Sequence, residues 1–456
     1  MAKPLTRLAV IGALALALSP APAAEPAPPI PYSADPRAIL KAYFAEEDAA
    51  ARTALAARFA SVAPKAWGDL KAMLHATAPR TALAAGRQRF QTNGDNFVPP
   101  IKYILRVPAG YAGDAARGWP LIITCHGLGG SGEGALGEVE RWMGPDIEQF
   151  LVAAAEAPKP GAYTAERENI EYPLRVLEDV RQRANVDSDR TVLTGVSKGG
   201  YATWGTVLSS PGQWAGAVPM ASFPVTEAGA GVGHTLYLPN VLALAIQAHW
   251  GANDIEPGQK EGINTLSREA AAEMKRLGAK RFEGIEYPGE GHGLAVKADR
   301  FRAFVAAARR DPWPPECKLI FHRLYQGRAY YVRATAAARE EFDFRQKRTI
   351  TITRKEDFDK ARRDLYLREG YELTARMAAG ANLVAVMTRN LKEVEVDLAA
   401  EKLDFARPIR ITLNGRTVQE GPRKLDWVEL LETARRTGDF ERLVGGRAKL
   451  TVAGAK

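Results

Sequence analysis

The sequence predicts an α/β protein whose main domain is a mostly parallel β-sheet with helices on both faces. A small helical segment precedes this domain, and a β-rich, sandwich-like domain follows it. Strand-like and helix-like segments alternate between residues 97 and 312, as in parallel sheets with helical crossovers. Several of these strands are apolar almost throughout, as strands covered on both faces must be. After the proline-rich segment 311–315, the pattern changes to a succession of strands.

Length and composition indicate an ordinary globular protein. The chain has 456 residues, 46% hydrophobic and 25% charged, which is enough for two or three domains with cores of their own. This composition excludes bulk disorder, collagen and a polytopic membrane protein. The two cysteines, Cys125 and Cys317, cannot build a disulfide framework or a cysteine-based zinc site. Export would permit them to pair, but the place of Cys125 at the end of an apolar strand favours a buried free thiol.

Residues 1–24 are typical of a signal peptide. Lys3 and Arg7 precede an apolar run over residues 8–18, and small residues follow at 19–24, which is the pattern of a cleavable leader. An apolar run of this length spans about 16 Å as a helix, roughly half of a bilayer core, so no transmembrane anchor is expected after cleavage. We expect a periplasmic or secreted protein; a short buried helix is the alternative.

Residues 25–96 are expected to form a helical N-terminal region. Apolar side chains recur there at helical spacing, which predicts two or three amphipathic helices. They include Ile39, Leu40, Tyr43, Phe44, Leu55, Phe59, Leu70 and Leu74. His75 is expected to be a surface or core histidine rather than a metal ligand.

The central region, 97–312, is predicted to alternate strands and helices. The expected strands are 101–107, 121–125, 190–194, 216–220, 242–249 and 281–287. The expected helices are 169–183, 200–209, 266–277 and 299–307. Ligands of such sheets bind beyond the carboxyl ends of the strands, so functional residues are expected there.

The last region, 313–456, is predicted to be a small β-sandwich. The expected strands are 318–322, 330–333, 349–353, 382–388, 394–398 and 408–413, with a helix at 425–436. Asn414-Gly415 is a strong hairpin signal.

Almost all of the net positive charge lies in this last region. It holds 29 lysines and arginines against 21 aspartates and glutamates, which gives +8 of the total of +9. One interpretation is attachment to an anionic surface or polysaccharide. The alternative is a solvated face, because cations and anions alternate along the region. No nucleic-acid partner is expected, since no recognised binding module is present.

A nucleophile-elbow motif follows the third predicted strand. Gly195-Val196-Ser197-Lys198-Gly199 matches G-x-S-x-G and precedes a predicted helix, which is the context that the motif requires. The serine of an elbow lies in a strained turn, so bulky side chains two positions away would clash. Its hydroxyl projects at a helix N-terminus, where free N–H groups favour a developing anion. Ser197 is therefore the predicted nucleophile.

A serine hydroxyl needs a base that is itself oriented by a carboxylate. Asp254 follows the strand predicted at 242–249, and His292 follows the last predicted strand of the sheet, between two glycines. We predict His292 as the base, with an exposed loop histidine as the alternative. Asp254 is the predicted acid, and Glu256 and Glu290 compete with it.

The oxyanion of a tetrahedral intermediate needs two N–H donors. One predicted donor is the backbone N–H of Lys198, directly after the nucleophile. The second is expected from the glycine-rich loop 126–132, at the N–H of Leu128, with Gly127 as the alternative. His126 is expected to hold this loop by hydrogen bonds rather than to carry protons. A nucleotide site is not indicated, because neither a Gly-Lys-Ser/Thr phosphate loop nor a dinucleotide fingerprint is present.

With these four elements in order, residues 97–312 resemble the α/β-hydrolase superfamily. The segments 120–127, 186–204, 249–254 and 287–292 are similar to the secreted bacterial dienelactone-hydrolase, feruloyl-esterase and prolyl-oligopeptidase-like group. The resemblance implies hydrolysis of an ester or amide through an acyl-enzyme, without metal or organic cofactor. Our leading hypothesis is a carboxylic ester, on a small molecule or a glycan. A serine peptidase is the nearest alternative. A non-catalytic glycan- or partner-binding protein is the alternative of another class.

Lys198 departs from this group, in which Met, Gln or His usually follows the nucleophile. A cation in the first turn of a helix is disfavoured by about 0.3 to 1 kcal/mol. Its side chain is therefore expected either to pair with a carboxylate or to attract an acidic group of the substrate.

Substrate specificity is expected from the segment 222–240, a candidate lid or lining loop that could equally be an inert insertion. Tyr201 and Trp204 are further candidates, although residues of the helix after an elbow more often pack in the core.

Overall fold

The protein is described by a computed structural model that covers residues 34–157, 167–225, 232–255 and 262–452. The predicted signal peptide, 1–24, lies outside these ranges, as does part of the candidate lid, 226–231. Within them, no helix combines the length and the apolar character needed to cross a membrane.

Three helices open the described chain. They are α1 (Pro36–Ala45), α2 (Ala49–Ala60) and α3 (Trp67–Thr77). Asp35 and Asp48 cap the first two, because their carboxylates accept hydrogen bonds from the N–H groups of Arg37 and Ala51. The predicted helical segment is therefore confirmed.

Eight strands form the main sheet. They are β1 (Gly86–Gln91), β2 (Lys102–Val107), β3 (Trp119–Cys125), β4 (Leu151–Ala155), β5 (Val186–Val196), β6 (Gly216–Met220), β7 (Ala245–Gly251) and β8 (Phe282–Tyr287). Their order is β1-β2-β4-β3-β5-β6-β7-β8. The strands from β4 to β8 run parallel, and β1 and β2 are antiparallel to their neighbours. The predicted mostly parallel sheet is confirmed.

The sequence pattern does not predict two strands of this sheet, β1 and β4. β1 is a polar, largely exposed edge strand and lies before residue 97, the predicted start of the domain. β4 is fully buried but contains three alanines, and alanine is depleted in strands. The sheet consequently begins at Gly86.

Helices cover both faces of the sheet. They are α4 (Gly132–Met143), α5 (Arg167–Arg183), α6 (Lys198–Ser209), α7 (Gly233–Leu236), α8 (Ile263–Arg276) and α9 (Ala298–Ala307). The core on one face includes residues of α5, α6 and α8, and the core on the other includes residues of α4 and α9. In β3, Leu121 and Ile123 enter the first core and Ile122 the second, because successive side chains of a strand point to opposite faces.

Two further sheets form the C-terminal region. Their strands are β9 (Glu316–Phe321), β10 (Arg328–Ala329), β11 (Val332–Ala337), β12 (Tyr371–Ala378), β13 (Leu383–Arg389), β14 (Leu391–Ala399), β15 (Ile409–Leu413), β16 (Arg416–Gly421) and β17 (Val444–Thr451). The strand orders are β10-β11-β14-β17 and β16-β15-β13-β12-β9. Side chains from both sheets share one core, so the expected sandwich is confirmed. Asn414 (φ 49°) and Gly415 (φ 80°) form the predicted hairpin turn between β15 and β16.

The segment 349–353 is not a strand, contrary to the sequence prediction. Its alternating threonine and isoleucine favour a strand, but none of its residues is buried, so no face of it contributes to a core. The region also contains two helices, α10 (Phe358–Glu369) and α11 (Trp427–Thr437). The pattern does not indicate α10 or β12.

The N-terminal helices pack against α11 rather than forming a separate unit. Their apolar side chains share one buried cluster with Leu430, Leu431 and Phe440. Phe59 and Trp427 make an edge-to-face contact with ring centroids 5.5 Å apart. His75 is buried and bonds to both Asn185 and Glu441, so it has a structural role.

A buried ion-pair network joins the main domain to the C-terminal region. Arg310 donates to Asp439 at 2.7 and 2.8 Å and to Asp189 at 2.8 Å. Burial raises the pKa of Asp189 to about 6. In Asp439, Arg310 and Arg181 outweigh burial and hold the pKa well below its usual range. The segment 311–315 is thus anchored at its start rather than being a free linker.

We expect Asp439→Asn to lower the free energy of unfolding by about 3–5 kcal/mol, because it removes the carboxylate beside the buried Arg181 and leaves the buried Arg310 with Asp189 alone. Urea denaturation followed by circular dichroism measures the change. The matched control is Asp359→Asn, which removes an exposed pair with Arg362 and should cost about 0–1 kcal/mol. Equal losses in the two variants would show that the network does not stabilise the fold.

Candidate active site

Ser197 lies in a strained turn between β5 and α6. Its backbone has φ 56° and ψ −116°, a conformation that costs a non-glycine residue of the order of 1–3 kcal/mol. Two hydrogen bonds hold it there: its N–H donates to the Met220 carbonyl, and its own carbonyl accepts from the Tyr201 N–H, both at 2.9 Å. The side chain therefore stands at the carboxyl end of β5, above the N-terminus of α6.

Glycines around Ser197 allow the backbone to come this close to the sheet. A Cβ atom on Gly195 would lie 2.4 Å from the Gly199 carbonyl oxygen, and one on Gly199 only 2.0 Å from the Cys125 carbonyl oxygen. A Cβ on Gly200 would lie 2.3 Å from Ser222 Oγ. These approaches are the physical reason for the spacing of the motif.

The structure brings Ser197, His292 and Asp254 together. Ser197 Oγ lies 2.8 Å from His292 Nε2, and both carboxylate oxygens of Asp254 lie 3.1 Å from His292 Nδ1. Asp254 is only 2% exposed, whereas the His292 side chain is 49% exposed. A buried carboxylate at Nδ1 favours the tautomer with the proton on that atom, which leaves Nε2 free to accept the serine proton.

Loops after adjacent strands position the acid and the base. Asp254 follows β7 and His292 follows β8. Asn264 fixes the loop of Asp254: its N–H donates to the Asp254 carbonyl at 3.1 Å and its side-chain amide to the Ala252 carbonyl at 2.7 Å. No motif in the sequence pointed to Asn264.

Glu290 and Glu256 are the alternatives to Asp254 as the predicted acid. Glu290 accepts a hydrogen bond from the Ala295 N–H at 2.8 Å, so it stabilises the His292 loop. Glu256 lies outside the described residues.

The two segments that carry the predicted oxyanion donors lie close to Ser197. Lys198 is the first residue of α6, where N–H groups lack partners within the helix. The loop with Leu128 passes close by, since a Cβ on Gly127 would lie 3.6 Å from Ser197 Cβ. Gly129 (φ 71°) lets this loop turn, and the Leu128 side chain is 64% exposed.

His126 holds the same loop. The Ala157 N–H lies 3.1 Å from His126 Nε2, and His126 Nδ1 lies 2.8 Å from the Gly127 carbonyl oxygen. Because Nε2 must accept, Nδ1 carries the proton and donates. Both ring nitrogens thus form hydrogen bonds with backbone groups, as expected from the sequence for a residue that holds the loop.

Lys198 directs its ammonium group over a neighbouring ring. Its Nζ lies 5.6 Å from the centroid of Tyr201, a cation–π distance. Among the described residues, no carboxylate lies within 4.0 Å of this nitrogen. The expected pairing with a carboxylate is therefore not what the structure shows. Trp204 is 1% exposed and belongs to the core, so it does not line the site.

The remaining reactive groups do not form a second centre. Cys125 and Cys317 are both buried and do not form a disulfide with each other, and burial raises the pKa of Cys317 to about 12. In the parts of the chain that the structure describes, no cluster of His, Cys, Asp and Glu could hold a metal ion.

Strand order, elbow and loop positions together define the α/β-hydrolase fold. Ser197 follows the fifth strand of the sheet, at the position of the elbow motif, and Asp254 and His292 follow the seventh and eighth.

Comparisons with known proteins give matches among solved structures only: no family model and no curated protein matches the chain. A thermostable esterase is 20% identical over 49% of this chain (TM-score 0.39), and the match spans 63% of that esterase, less than two thirds of its length. A poly(3-hydroxybutyrate) depolymerase from Bordetella parapertussis is 21% identical over 50% of this chain and 92% of its own (TM-score 0.38). An acylaminoacyl peptidase from Pyrococcus horikoshii is 12% identical over 50% of this chain and 43% of its own (TM-score 0.38).

We expect Gly199→Ala to destabilise the protein by about 1–3 kcal/mol or more, because its methyl group would overlap the Cys125 carbonyl. Gly137→Ala in α4 is the matched control: no atom lies within 4 Å of the added carbon, so the change should be neutral or stabilise by up to about 1 kcal/mol. Thermal unfolding of both variants tests this. A Gly199→Ala protein as stable as the wild type would contradict the close approach.

Proposed function

We propose that this chain is a serine hydrolase that cleaves a carboxylic ester through an acyl-enzyme. The proposal rests on two hydrogen-bond contacts: Ser197 Oγ with His292 Nε2, and His292 Nδ1 with the Asp254 carboxylate. Packing alone does not require a serine, a histidine and a buried carboxylate to meet on three separate loops.

The reaction would proceed in two halves. Ser197 Oγ attacks the acyl carbon while His292 Nε2 takes the hydroxyl proton, and the N–H groups of Lys198 and Leu128 stabilise the oxyanion. The tetrahedral intermediate collapses, the alcohol leaves with the proton from His292, and Ser197 remains acylated. Water then attacks the acyl carbon, its proton passes to His292, and collapse releases the acid and restores Ser197.

Asp254 would act through His292. Its carboxylate keeps the imidazole oriented and stabilises the imidazolium that forms in each half-reaction. Burial makes this interaction stronger than it would be in water, because the effective dielectric is lower there. Apart from the substrate and water, the proposed steps use only groups of this chain.

A serine peptidase would use the same three side chains, so the geometry of the triad does not separate esters from amides. A screen of acyl esters, feruloylated and acetylated sugars, lactones and peptides would distinguish these substrates. From the leader pattern we further propose that the enzyme acts in the periplasm or outside the cell.

Attachment of the C-terminal region to an anionic surface has less support than the alternative of a solvated face. Several of its exposed arginines pair with carboxylates, as in Arg333–Glu395, Arg389–Glu372 and Arg410–Glu420. This pairing favours a solvated face.

A fluorophosphonate probe should label the wild-type protein and fail to label Ser197→Ala. Ser61→Ala, which removes an exposed hydroxyl at the end of α2, is the matched control and should label like the wild type. In-gel fluorescence reports the labelling. A folded wild-type protein that does not react would exclude the hydrolase and favour a binding protein on this scaffold.

We expect Lys198→Met to reduce kcat/KM for anionic esters about 5- to 30-fold more than for neutral esters. The reason is that a partly hydrated ammonium group without a carboxylate partner attracts an anion by about 1–2 kcal/mol. Steady-state kinetics on matched neutral and carboxylated esters measure the difference. Equal effects on the two substrates would show that Lys198 does not recognise charge.

A further inference from the structure

A cavity of about 430 Å³ lies between the main domain and the C-terminal region. Its walls come from α5, from the segment after α6, and from β10 and α11. Ser210, one of the lining residues, follows the last residue of α6, whereas Ser197 precedes the first. A helix of this length measures about 18 Å, so the cavity is separate from the proposed active site.

Positive side chains outnumber negative ones in the cavity wall. The lining arginines are Arg175, Arg181, Arg328, Arg436 and Arg442. The lining carboxylates are Glu178, Asp179 and Asp439.

Two of these carboxylates are engaged by arginines outside the wall. Asp179 accepts hydrogen bonds from Arg183 at 2.7 and 3.1 Å, and Asp439 accepts from Arg310 at 2.7 and 2.8 Å. Asp179 is thus paired outside the wall, and Asp439 is shared between Arg310 and the wall residue Arg181.

Two of the wall arginines are also paired with carboxylates outside the wall. Arg175 pairs with Asp95, and Arg442 pairs with Asp397. The charge of the wall that remains available to a ligand is therefore mainly that of Arg328 and Arg436.

Two arginines of the wall have no hydrogen-bonded or ion-paired side chain among the described residues, although Asp397 acts on Arg328 from a longer distance. The side chains of Arg328 and Arg436 form no ion pair or hydrogen bond with any residue that the structure describes. Burial, followed by the nearby charge of Arg442, lowers the pKa of Arg328 to about 10. The group still carries its charge near neutral pH, where an unpaired and partly buried cation is costly.

A third arginine lies deeper. The Arg181 side chain is 2% exposed, and its Nη1 donates to Gln213 at 2.9 Å. Its Nε and Nη2 have no hydrogen-bond partner in the described structure, and Asp439 Oδ2 lies 3.8 Å from Nη2. Arg181 therefore lies behind the wall with two nitrogens that form no hydrogen bond to any described residue, and Asp439 balances part of its charge.

Neutral polar groups make up much of the remaining surface. They are Thr92, Asn93, Gln182, Ser210, Gln213, Thr433 and Thr437. Hydroxyl and amide groups can both donate and accept hydrogen bonds. Such a lining suits a ligand with several hydroxyl groups, and the volume lies within the usual range of small-molecule pockets.

We propose that this cavity binds a sugar-sized polyol that carries a phosphate or carboxylate group. Arg328 and Arg436 bind the oxyanion directly, and the hydroxyl and amide groups bind the polyol. Guanidinium groups suit both anions, because they present paired N–H donors to two oxygens at once. The site does not depend on the proposed hydrolase activity.

Isothermal titration calorimetry on the full chain, at constant ionic strength, tests the proposal with glucose 6-phosphate, glucuronate and glucose. At least one of the two acids should bind saturably, and the one that binds better identifies the oxyanion. Arg328→Gln and Arg436→Gln should each weaken this binding at least 10-fold. Arg345→Gln, at a side chain that is 91% exposed, is the control and should leave it unchanged.

Three results would overturn the proposal. They are failure of both acids to bind, binding of glucose as tight as that of the acids, and equal weakening by the control and cavity variants. Since Arg436 is exposed, its variant should fold, and circular dichroism verifies this. Fluorophosphonate labelling of the same samples reports Ser197 separately, so the loss of one function does not imply the loss of the other.

Discussion

The architecture of the site depends on how closely the start of α6 approaches the main sheet. Gly199 and Gly200 bring the helix backbone against the ends of β3 and β6, at distances that no side chain would permit. Ser197, the residue before α6, adopts its positive-φ turn at this point. The packed cores on both faces of the sheet offset the free-energy cost of this strained backbone. The position of the Ser197 side chain thus depends on two residues without a Cβ atom.

Parallel topology then places the partners of Ser197. The strands β5, β6, β7 and β8 are neighbours in the sheet and end at the same edge, so loops distant in sequence converge there. Asp254 and Ser197 are separated by two strand spacings, and the His292 loop spans that gap. The sequence predicted these residues because each follows an apolar strand. Since the strands are parallel neighbours, residues that follow them lie close together in the structure.

What the sequence could not indicate has identifiable physical causes. The edge strand β1 is polar because water covers much of it, and β4 is alanine-rich because both of its faces are buried. The segment 349–353 has the propensity of a strand but no core to cover. Asn264 holds the Asp254 loop through backbone contacts, for which no residue pattern exists. Local pattern predicts an element only where burial and propensity agree.

The net charge of a region likewise does not show where its charged side chains lie. The +8 of residues 313–456 suggests a basic surface, yet part of this charge points inward. Arg328 and Arg442 line the cavity shared with the main domain, where Arg181 of α5 joins them. A composition counts charges without their partners or their depth. Whether an arginine stabilises or destabilises the fold depends on its partners and on its depth. Both are visible only in the three-dimensional structure. The charge of this region therefore bears on how the two domains meet and what fits between them.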